Sequence, residues 1–65
     1  MMSFSEVLES AKREFLQLPG VVAVSGRDNT IIVYVETEDD ARRIPSTYRG
    51  YPVVTRVVGR IIFMQ

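Results

Sequence analysis

Residues 20–36 read GVVAVSGRDNTIIVYVE, and this stretch decides the fold. Two β-branched apolar runs, Val21–Val24 and Ile31–Val35, flank the polar turn Gly26-Arg27-Asp28-Asn29. β-Branched residues suit the pleated strand, and Asp and Asn tolerate the positive φ of a tight hairpin turn. The spacing predicts strands over 21–25 and 30–36. Ile31, Val33 and Val35 share one face; Ile32, Tyr34 and Glu36 share the other. The second face is only half polar, which points to partial cover or a partner.

Upstream, Phe4, Val7, Leu8, Ala11, Phe15 and Leu18 recur at helical spacing and predict a helix over 3–18. Ser3-Phe4-Ser5-Glu6 matches a capping box, Glu9 and Arg13 stand at i, i+4, and Pro19-Gly20 ends the helix. Downstream, 37–44 reads as a short helix. Thr37 caps it, Glu38, Asp39 and Asp40 fill its first turn, and Arg42 and Arg43 fill its last, matching the helix dipole at both ends. Pro45 stops it, and 45–51 (PSTYRGY) reads as a loop. Pro52 suits the start of a third strand over Val53–Val58. Gly59 marks either a bulge in one long strand reaching Met64 or, with Arg60, a hairpin turn before a fourth strand.

The order α-β-β-α-β, with an extra C-terminal strand under the second reading of Gly59, predicts one α+β domain over 1–65. It is a two-layer sandwich with a mainly antiparallel sheet and both helices on one face. A crossover through the second helix makes the third strand parallel to the second. In a three-stranded sheet that places the third beside the first, which becomes central and leaves the second as an edge. The other sheet face stays open.

The strand-strand-helix-strand progression after a helix resembles the ferredoxin-like fold without its first strand. LPGVVAVSG followed by NTIIVYVE resembles the middle of heavy-metal-associated domains. Their metal site is a CxxC motif, and this chain has no Cys; the metal function does not carry over. VVAVSG…TIIVYVE…IPSTYRGYPVVTRVVG is also similar to the small module that precedes trypsin-like peptidase domains, with its VVGVGVG…IVVYV…GVPV pattern. Here the glycine run is reduced to Val22-Ala23-Val24-Ser25-Gly26 and no peptidase domain follows, so the resemblance implies a fold and no catalytic residue.

Composition narrows the function classes. A chain of 65 residues buries only about 60% of its unfolded surface and wants reinforcement. With no Cys, disulfides and thiolate metal sites are excluded; with no His, the commonest metal ligand and general base are missing. Self-association or an unusually well-packed core remains. Eight acids balance eight bases, which argues against a backbone-gripping nucleic-acid binder. Every cation except Lys12 is Arg, a skew that fits genome composition, surface ion-pair networks or an anion site. No signal-peptide pattern or membrane-length apolar run is visible, so a cytoplasmic protein without membrane attachment is expected.

Three functional readings follow. In the first, the chain is a small non-catalytic interaction module, a homodimer or the partner of another protein, meeting its partner through a sheet edge or the open sheet face. Ile32, Tyr34, Ile61 and Phe63 are the candidate interface residues. In the second, Arg42, Arg43, Tyr48, Arg49 and Tyr51 bind a phosphate ligand or nucleic acid, since Arg with interleaved aromatics can pair phosphates and stack bases. In the third, Glu36, Glu38, Asp39 and Asp40 serve as catalytic or cation-binding carboxylates, although they lack calcium-loop spacing and read more simply as a helix N-terminus. There is no phosphate-cradling glycine loop, and Ser46 and Thr47 have no His partner. The expectation is therefore no enzyme activity, no cofactor and no metal.

Overall fold

A computed structural model describes residues 2–59. Helix α1 (Phe4–Phe15) leads into the hairpin β1 (Val21–Arg27) and β2 (Thr30–Val35). Helix α2 (Glu38–Arg42) follows, then a second hairpin, β3 (Thr47–Tyr48) and β4 (Tyr51–Val57). The predicted α+β sandwich is observed, with a four-stranded mixed sheet in the order β1-β2-β4-β3. Two of its three strand pairings are antiparallel; β2 and β4 are parallel.

The capping box forms as expected. The Glu6 N–H donates to Ser3 Oγ at 3.3 Å, and the Ser3 N–H donates to Glu6 Oε1 at 3.4 Å. Glu9 pairs with Lys12 one turn on, at 3.9 Å, instead of with Arg13. Val7, Ala11 and Phe15 are buried against Val24, Ile31, Val33, Val35 and Val53, forming one continuous core. Ala41 and Ile44 of the α2 segment pack on the same cluster, so both helices cover the face that presents Ile31, Val33 and Val35.

Three expectations are corrected. The turn of the first hairpin is two residues, Asp28 (φ 52°) and Asn29 (φ 58°). Both are left-handed, the geometry whose twist suits adjoining strands; Arg27 therefore pairs with Thr30, and β1 runs through Gly26. Gly26 is there for packing: a Cβ on it would stand 2.7 Å from Leu8 Cδ2 and 3.0 Å from Phe4 Cζ. The expected loop 45–51 contains β3 and a second two-residue turn, Arg49 (φ 50°) and Gly50 (φ 88°). The Val53 N–H donates to Ser46 O at 2.9 Å, extending that hairpin.

Strand order also differs from expectation. β4 is parallel to β2, as expected, but lies directly beside it, so β2 is central and β1 is the edge. A sequential crossover most simply joins neighbouring strands. β2 carries large apolar residues on both faces, Ile31, Val33 and Val35 toward the helices and Ile32 and Tyr34 away from them. β1 alternates with small residues, Ala23, Ser25 and Gly26. The choice between bulge and hairpin beyond Gly59 depends on residues 60–65 and lies outside the described residues.

Candidate interaction surface

Strand alternation and register place Thr30, Ile32 and Tyr34 on the face away from the helices. Ser25 stands beside Ile32 on one side and Val54 on the other; Ala23 and Arg56 flank Tyr34 in the same way. Ile32, Tyr34 and Val54 thus form an apolar strip across the middle of the sheet. Ile32 and Tyr34 are half-buried, while Val54 is 40% exposed. Both helices lie on the opposite face. The sequence puts part of the third strand on this face beside Ile32 and Tyr34, and the parallel register with β2 identifies Val54 as the residue that joins them. The candidate residues Ile61 and Phe63 lie outside the described residues.

The Arg and Tyr residues around the second hairpin are distributed differently. Arg42 Nη1 stands 2.7 Å from Asp39 Oδ1, and Arg43 Nη1 stands 3.5 Å from Asp40 Oδ1, both one turn back along α2. Tyr48 Oη shares a 2.8 Å hydrogen bond with Ser10 Oγ, and its ring meets Phe15 edge-on with centroids 5.2 Å apart. Tyr51 meets Phe4 in the same manner at 5.1 Å. These contacts tie the second hairpin to α1. Arg49 sits at the turn, its guanidinium 5.4 Å from the Tyr48 ring centroid, a cation–π distance. A pocket of about 350 Å³ opens beside it, lined by Met2, Val7, Arg49, Gly50 and Tyr51. Among the described residues of that lining, Arg49 is the charged one.

Of the acids after β2, Asp40 takes part in the α2 cap and Asp39 pairs with Arg42. The Thr37 hydroxyl accepts from the Asp40 N–H at 3.1 Å and donates to Asp40 Oδ2 at 2.9 Å. The Asp40 side chain is only 14% exposed and lies over Gly20, whose φ is +81°. A Cβ at Gly20 would overlap the Asp40 carboxylate. The Glu36 N–H donates to Gly20 O at 2.9 Å, closing the same corner. Among the described residues, no three acids converge as a group able to hold a metal ion. No described helix is long and apolar enough to cross a membrane.

The chain matches no protein-family model, no curated protein and no solved structure. The two resemblances noted above therefore stand on the quoted residues alone.

Proposed function

We propose that this chain is a small, non-catalytic interaction module that self-associates through its sheet. The observation that carries this reading is the apolar strip Ile32, Tyr34 and Val54 on the sheet face that neither helix covers. A small core gains from burying such a surface, and apolar strips in mid-sheet mark contact sites. The missing His and Cys, with Asp40 engaged in the α2 cap and Asp39 paired with Arg42, support a role in contact over one in chemistry. A cytoplasmic location belongs to the same reading.

Dilution followed by amide and methyl NMR tests it. Shifts should move with concentration at Ile32, Tyr34, Val54 and β1, and stay fixed on α2. Shifts that are constant throughout the sheet would contradict the reading.

A further inference from the structure

The sheet has two very different edges. β3 is two residues long and ends at the Arg49 turn, so it offers little template for another strand. β1 is a seven-residue edge, and its run Val22–Gly26 contains no charge and no Pro. Edge strands usually carry such residues to prevent pairing with another chain. The one irregularity in β1 is a bulge between Val21 and Ala23, which leaves Ala23–Arg27 regular.

The free hydrogen-bonding groups on this edge can be assigned. Arg27 and Thr30 close a two-residue turn, so they form the hydrogen-bonded type of pair. Alternation then turns Ser25 toward β2 and points the N–H and C=O groups of Val24 and Gly26 outward. No turn, loop or cap hydrogen bond from another described residue reaches either one.

We propose that β1 pairs antiparallel with β1 of a second copy, about a two-fold axis at Val24. This rests on the self-association reading above and places the contact on the β1 edge, with the Ile32–Tyr34–Val54 strip outside it. Val24 offers one donor and one acceptor on the same edge, which an identical antiparallel strand satisfies reciprocally. On the outward face, Ala23 meets Ser25 of the second copy, so no like charges are opposed.

Charge complementarity favours a second copy over an unrelated strand. The antiparallel arrangement carries Arg27, whose side chain is 83% exposed, to the Gly20 end of the other β1. There Glu36 follows β2, one strand further in, and alternation puts it on the outward face shared by Arg27. With strands about 4.8 Å apart, an Arg and a Glu side chain span the gap. The pairing joins the two sheets, and the two Ile32–Tyr34–Val54 strips, into one surface.

Amide exchange on the full chain, at concentrations where sedimentation gives monomer and then dimer, tests the proposal. The Val24 amide should slow at least tenfold in the dimer, while Gly26, which falls opposite the bulge at Val22 of the second copy, and Ser25 and Arg27, already bonded to β2, change less. A dimer without that slowing would overturn the β1 pairing and leave self-association through the open face. A monomer at every concentration would overturn both. Slow exchange already present in the monomer would show that the edge is protected within a single chain, and also overturn the proposal. With two symmetric rim pairs per dimer, Arg27→Glu should weaken association roughly tenfold. Arg27→Glu with Glu36→Arg should restore most of it; a double variant as weak as the single would refute the antiparallel register.

Discussion

Gly20→Ala is the substitution that most sharply tests how the sheet is assembled. Gly20 has φ +81°, and a Cβ there would overlap the Asp40 carboxylate. The left-handed backbone alone costs an L-residue about 1–2 kcal/mol. Displacing Asp40 removes the 2.9 Å bond from the Thr37 hydroxyl and loosens the α2 cap, a further loss of about 1 kcal/mol. The Arg43 pair adds little, because that side chain is 60% exposed. The sum is roughly 2–3 kcal/mol, against a total of about 3–10 kcal/mol for a domain of this size. Urea denaturation followed by circular dichroism reads it directly, and Tm should fall by on the order of 10–20 °C. In an Asp40→Ala background the steric part disappears, so Gly20→Ala should then cost only the backbone term. A loss under about 0.5 kcal/mol in the parent chain would refute the backbone argument, given the usual scatter of surface substitutions. Strict additivity of the two changes would refute the contact.

Two further substitutions probe the packing that positions the sheet. Gly26→Val should destabilise by about 1–3 kcal/mol through overpacking against Leu8 and Phe4. Leu8→Ala should recover part of that loss, and an unchanged denaturation midpoint in Gly26→Val would show that α1 does not approach β1 so closely. Tyr48→Phe should cost about 0.5–1.5 kcal/mol by removing the hydrogen bond to Ser10 while keeping the Phe15 contact. A neutral result in the same denaturation assay would mean that this bond does not hold the second hairpin to α1.

Local chemistry made much of this fold readable in sequence. Ser3 and Glu6 announce the start of α1, Asp28 and Asn29 announce the first hairpin, and Thr37 with the following acids announces α2. What was misread depends on contacts distant in sequence or on atypical turn residues. β3 has two residues, too few for any periodicity, and its turn places Arg49 in a left-handed conformation that Arg seldom adopts. Lateral strand order follows from how β4 packs beside β2.

The candidate surface was legible in the same uneven way. Ile32 and Tyr34 follow from alternation alone, whereas Val54 joins them only through the register of β2 with β4. The five Arg and Tyr residues grouped by proximity in sequence have separate engagements. Arg42 and Arg43 pair with acids on α2, Tyr48 and Tyr51 pack against the rings of α1, and Arg49 stays at the turn. Proximity along the chain could not reveal those partners, because Ser10, Phe15 and Phe4 lie more than thirty residues away from the tyrosines they meet.

Sedimentation equilibrium of the full chain, from low to high micromolar concentration, tests the central claim most directly. Self-association through the sheet predicts a weight-average mass that climbs from 7.4 kDa toward twice that value. A mass fixed at 7.4 kDa across the whole range would contradict it.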